Sequence, residues 1–251
     1  MRDYLAWRMA FGVPTPSTNT VVQPEFDDMR PPGVTNHVAR MMIDDMPVRS
    51  DADFEKLIAA IDESLDPAID RVMTAKPDHI VLGISALSVW GGSQASVEAL
   101  KERMRRRAGP AVDVTVPADA VIAALRAHGI ERRVAIVEPY WPVIERHLGG
   151  FLGEHGYEVV RFNHMRGGQP TRYSVLTVQD LIAALRAVDG DDIEAIVQFG
   201  ANLPMARLAD EAERWLNKPV ISVNVATYWH ALRQNGIADR RYGFTRLFSE
   251  H

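Results

Sequence analysis

What most constrains this chain is a recurring alternation of short apolar runs with helix-patterned segments. The runs 79-HIVLGI-84, 133-RVAIVEP-139, 157-YEVVRF-162, 193-IEAIVQF-199 and 219-PVISVN-224 are rich in Val and Ile. Most lack polar alternation, the pattern of strands covered on both faces. Between them lie stretches with apolar residues at helical spacing, the longest being 52–75. The stretches 118–129, 142–156 and 177–190 end on glycine, and 204–217 begins on proline and ends on asparagine. Those are the residues that start and stop helices. Strand–helix alternation of this kind predicts βα units on parallel sheet.

The same grammar occurs twice. A strand near 9–20 ends in a polar loop, and 80-IVLGISALS-88 ends in a Gly/Ser loop; later, 134-VAIVEPYWP-142 and 195-AIVQFGANLP-204 end in loops of their own. The expectation is an α/β fold of two pseudo-symmetric parallel-sheet domains. Residues 1–112 with 225–251 form the N-terminal half and 113–224 the C-terminal half. Open parallel sheets bind ligands beyond the carboxyl ends of their strands. Two halves facing each other would bring all four loops to one interdomain cleft.

Composition removes several function classes. The 251 residues are 47% hydrophobic and 24% charged, ordinary for a globular chain. A net charge of −5 gives no field for nucleic acid. The basic run 101-KERMRRRAG-109 reads as the solvated end of a helix. No apolar stretch reaches the ~18 residues of a membrane span. The N-terminal stretch 1–12 lacks a long apolar region and a cleavage site, so it does not read as a signal peptide. The eight histidines show no metal-binding spacing, and the chain has no cysteine. That excludes disulfides, thiolate metal sites and any thiol acid, base or nucleophile. It fits the cytoplasmic location we expect.

Each of the four loops has a chemical reading beside a plain turn-and-cap reading. In 14-PTPSTNT-20, Asn19 offers a neutral amide that can donate to a carboxylate, or it caps the next helix. In 82-LGISALSVWGG-92, Gly83 permits close backbone approach, the N–H groups from Gly83 through Ile84 to Ser85 can form an anion nest, and Ser85 adds a hydroxyl. Tyr140 stands at a strand end, where a phenol can donate to an oxyanion or act as an acid. Gly200, Ala201 and Asn202 precede a helix whose N–H groups would face an anion. Trp90 reads as core or as a ligand platform, and Trp141 as packing over the next helix; either could instead fill the cleft. His37 and His164 are the two histidines in loop-like polar settings, and 168–173 reads as a mobile loop.

With these loops in place, the chain resembles the aspartate/glutamate racemase superfamily, and within it the maleate cis–trans isomerase and arylmalonate decarboxylase branch. The resemblance is carried by 16-PSTNT-20, 83-GISALSVWGG-92, residues 114–148 and residues 195–232, and covers nearly the whole chain. It implies cofactor-free chemistry on a small carboxylic acid in the interdomain cleft, and admits a homo-oligomer. It also implies two mirrored cysteines. The second corresponds to Gly200; the first falls at Gly83 or Ile84. Neither thiol exists here. Thiolate addition and two-base racemisation are therefore closed. A decarboxylase, lyase or hydrolase type of reaction through an enolate ranks first, with Asn19 and Asn202 on a carboxylate and the Gly83–Ser85 segment on the oxyanion. The proton would come from Tyr140, His164 or a water on Ser85. The alternatives are an isomerase with a non-thiol acid/base and a carboxylate-binding protein without catalysis.

Overall fold

The computed structural model describes residues 4–251, so residues 1–3 of the N-terminal stretch lie outside the described residues. Its strands form two four-stranded parallel sheets. The first contains β1 (Met9–Pro16), β2 (Val34–Met41), β3 (His79–Val81) and β4 (Asp113–Thr115), in the order β2-β1-β3-β4. The second contains β5 (Arg133–Glu138), β6 (Glu158–His164), β7 (Ala195–Gln198) and β8 (Val220–Ser222), in the order β6-β5-β7-β8. Each half adds its second strand on one side of the first and its third and fourth on the other. The repeated order is the pseudo-symmetry expected from the repeated loops. In each sheet the direction of growth reverses beside the opening strand, and a crevice forms beyond the strand ends at such a point. The four loops named above leave the strands that flank these two crevices.

Two strands differ from expectation. Residues 34–41, which include His37, form an edge strand rather than a loop; only Val34, Ala39 and Met41 are buried, so no continuous apolar run marks it. Residues 113–115 pair with β3, so the first sheet runs past the expected boundary at 112/113.

Three helices begin at side-chain caps. Ser50 caps α2 (Asp51–Met73) by accepting from the Asp53 N–H at 3.2 Å. Ser93 and Ser96 cap α4 (Gln94–Ala108) reciprocally, and Thr177 and Asp180 do the same for α7 (Val178–Val188). Pro117 opens α5 (Pro117–Ala127). The basic run lies in the last turns of α4, where Arg105 and Arg107 pair with Asp113 and Asp70 on the surface. The remaining helices are α1 (Val22–Met29), α3 (Ser85–Ser88), α6 (Ile144–Glu154), α8 (Ala206–Leu216), α9 (Val223–Gln234) and α10 (Thr245–Glu250). α9 follows the last strand of the second sheet, yet packs against α1, α5, β3 and β4. Among the described residues no helix is long and apolar enough to cross a membrane.

Candidate active site

Between the halves lies a cavity of about 30 Å³. A water takes roughly 10–15 Å³ on this scale, so the space fits about two or three. An organic acid enters only if the surrounding loops part. One wall is apolar: Phe54, Leu57, Ile58 and Ile61 from α2, with Ile43, Ile84 and Ala86 beside them. The polar groups are Thr18, Asn19, Tyr140, Tyr173 and Asn202, and no lining residue is charged. Neither tryptophan fills the space. Trp90 stacks on His147 with ring centroids 4.0 Å apart, and the Arg166 guanidinium sits over Trp141 at 5.3 Å.

The densest cluster of donors surrounds Tyr140. Its buried hydroxyl shares a 2.8 Å hydrogen bond with Ser85 Oγ, and the nearby Ala86 and Ala201 N–H groups favour its charged form. Ala201 N also donates to Ser85 Oγ at 3.1 Å. Groups from both halves thus meet around these two hydroxyls. Burial pushes the Tyr140 phenol well above its ordinary pKa, more than these bonds pull it down. Gly83 itself contributes no donor here, because its N–H donates to the Pro14 carbonyl at 2.8 Å. Ala86, one residue beyond the expected Gly83–Ser85 segment, has its N–H near the phenol. Ile84 contributes its side chain to the apolar wall.

Asn19 and Asn202 hold the two halves together in this state. Asn19 Oδ1 accepts from the Val21 and Val22 N–H groups, both at 2.9 Å, while Nδ2 donates across the cleft to the Ala201 carbonyl at 3.2 Å. Asn202 Oδ1 accepts from Thr20 N at 3.0 Å, and its Nδ2 donates to the Pro170 carbonyl at 2.8 Å. Each amide reaches from its own half's loop to the other half's. The anion expected at the start of α8 is the protein's own. Glu25 Oε1 accepts from Ala206 N at 2.9 Å, and Glu25 Oε2 accepts from Asn224 at 2.7 Å. Burial pushes the Glu25 carboxyl up to about 7, against the pull of those bonds.

The structure does not bring His164 into the cavity. Its Nδ1 bonds to the fully buried Glu138, and its Nε2 bonds to Glu145 at 2.6 Å. Burial opposes charging His164, but the two carboxylates outweigh it and raise its pKa above the usual histidine value. Glu138 also accepts from the Tyr140 backbone N–H. The group fixes the turn that presents Tyr140, one layer behind the cavity wall.

A roof closes the site. Residues 42–50 run over the segment 165–176: Val48 N donates to the Gly168 carbonyl at 2.7 Å, and Thr171 donates to Asp45 through its N–H at 3.0 Å and its hydroxyl at 2.6 Å. The 3-10 helix Pro170–Val175 in that segment places Tyr173 in the cavity. Sequence reasoning passed over Tyr173, Ala86 and Glu25. An aromatic residue inside a Gly/Pro loop was the one available signal for Tyr173; the other two carry none.

The comparisons with known proteins agree with this fold. The model of the arylmalonate decarboxylase family matches residues 48–248. The chain belongs to the arylmalonate decarboxylase family. It is 31% identical over 170 residues to arylmalonate decarboxylase of Bordetella bronchiseptica, spanning 66% of this chain and 69% of that one. Maleate cis-trans isomerase of Nocardia farcinica, solved with TRIS, shares the fold with a TM-score of 0.85 at 22% identity, over 96% of this chain and 98% of that one. Maleate isomerase of Pseudomonas putida S16, solved with maleate, shares it with a TM-score of 0.85 at 23% identity, over 96% and 97%. Gly200, and Gly83 as one of the two positions that the resemblance offers for the first cysteine, are both tightly packed. A Cβ on Gly200 would lie 2.4 Å from Pro139 Cδ, and one on Gly83 would lie 2.8 Å from Thr15 Cβ. Neither position admits a side chain unless its neighbour moves.

Proposed function

We propose that this protein is a cofactor-independent decarboxylase of a small malonate-type acid, working through an enediolate without a thiol. The observation that carries the reading is a buried cluster drawn from both halves, in which Tyr140 and Ser85 share a 2.8 Å hydrogen bond and the Ala201 N–H donates to Ser85 Oγ at 3.1 Å, on the edge of an uncharged cavity with one apolar wall. In this reading one carboxylate is held by those donors and by Tyr140. The other lies against Phe54, Leu57, Ile58 and Ile61, where an ionised group is poorly solvated and neutral CO2 is not. Breaking the C–C bond sends its electron pair toward the donor-held carboxylate. Preorganised donors stabilise that developing charge most when water is excluded. Asn19 and Asn202 keep the two halves in register and meet the held carboxylate once the roof parts.

The test is a thermal-shift screen with mono- and dicarboxylates, followed by product analysis with arylmalonates. We expect malonate-type acids to raise Tm and to be converted to CO2 and the monoacid. A Tm unmoved by every carboxylate would exclude the substrate class. A shift without turnover would make the protein a carboxylate binder instead.

A further inference from the structure

The cavity contains a second phenol that the donor cluster does not use. Tyr173 is 5% exposed, and its hydroxyl has no hydrogen-bond partner among the described residues. Its ring meets that of Tyr140 edge-on, with centroids 5.9 Å apart and an interplanar angle of 75°. A buried phenol without a partner is destabilising and calls for an explanation, a catalytic role being one. The placement is also sterically specific. A Cβ on Gly167 would lie 2.2 Å from the Tyr173 ring, so the glycine makes room for it.

Of the residues lining the cavity, only Tyr140 and Tyr173 carry an ionisable proton. The Tyr140 hydroxyl is already engaged with Ser85 Oγ, in the cluster that the decarboxylase reading gives to the held carboxylate. His164 lies behind the wall with both ring nitrogens bonded to glutamates. The positions of Gly83 and Gly200 are closed to side chains by Thr15 and Pro139. We infer that the Tyr173 hydroxyl is the proton donor to the α-carbon, in place of a thiol. The inference rests on the decarboxylase reading above. When the bond to the departing carboxylate breaks, its electron pair enters the enediolate and CO2 leaves. That pair then forms a C–H bond with the Tyr173 proton and leaves a phenolate. Water returns the proton when the roof parts, and hydroxide remains in solution. Burial holds the phenol protonated well above its ordinary range, so the proton is present at neutral pH.

The experiment uses 2-methyl-2-phenylmalonate, whose monoacid product is chiral. One fixed donor gives one enantiomer in excess. Tyr173→Phe is expected to lower turnover by on the order of 10²-fold or more. The residual product should be racemic, because water then protonates either face. The same variant should raise the Tm of the ligand-free protein by about 2–4 °C, since it removes an unpaired buried hydroxyl. Gly167→Ala, which displaces the ring and keeps the hydroxyl, should lower turnover and enantiomeric excess together. Unchanged turnover and enantiomeric excess in Tyr173→Phe overturn this inference alone. If the wild-type protein releases no CO2 from any arylmalonate, the decarboxylase reading falls and takes the inference with it.

Discussion

The two halves have the same strand order and present their loops to the same cavity, but contribute different chemistry. The first half supplies Ser85, the Ala86 N–H and the apolar wall of α2. The second supplies the Ala201 N–H and both phenols of the cavity. At Gly83 and Gly200 they are alike, each glycine shut by a neighbour from its own half. Repetition of a fold therefore repeats the places where chemistry can occur, and the side chains then divide the work unequally.

The sharpest way to break that comparison is to remove the first half's hydroxyl. Ser85→Ala takes a donor from the charge-holding cluster and leaves Ala201 N without its acceptor. We expect kcat on an arylmalonate to fall by about 10²–10³-fold, or roughly 3–4 kcal/mol. A smaller loss than tenfold would place the charge nearer the second half. These two glycines provide the next test. Gly200→Ala and Gly83→Ala should each destabilise by about 1–3 kcal/mol through overpacking against Pro139 and Thr15, measured by denaturant unfolding. If Gly83→Ala is neutral, the closure is a property of the second half only.

A smaller effect concerns Glu25, which lies in a first-half helix and caps a second-half one. Its carboxyl titrates at about 7 when folded, above its ordinary value of 4.5. Between those values the folded protein holds a proton that the unfolded chain has lost. Stability from this group is therefore complete below about pH 4.5 and declines as pH rises toward 7. With solvent screening of a partly exposed group, the decline is about 1–2 kcal/mol. Glu25→Gln, which can still accept from Ala206 N, should flatten the change in Tm across that window. A slope identical to wild type would assign the pH dependence to other groups.

The parallel α/β architecture and its doubling were legible because fully buried strands appear as apolar runs. β5 and β7, buried along most of their length, were read directly. β2 was missed because five of its eight residues are partly exposed, and β4 because three residues are too short to show a period. Within the site, Asn19, Ser85, Tyr140, Ala201 and Asn202 were nameable from their place after strands, and the structure gathers them. His164 was named for the same reason but faces Glu138 and Glu145, because a loop position says nothing about which way a side chain turns.

By itself the sequence determined that no thiol chemistry is available, that two βα halves repeat, and that four loops leave their strands on matching sides. These follow from composition and from periodicity, which are properties of neighbours along the chain. Tertiary structure alone decided that Asn19 and Asn202 reach across the cleft, that Glu25 occupies the start of α8, and that Tyr173 enters the cavity with its hydroxyl unpaired. The two asparagine bonds and the Glu25 bond each join residues about 180 positions apart, and the Tyr173 phenol owes its isolation to what the roof packs around it. No local pattern encodes such a separation; it is set only when the two sheets dock.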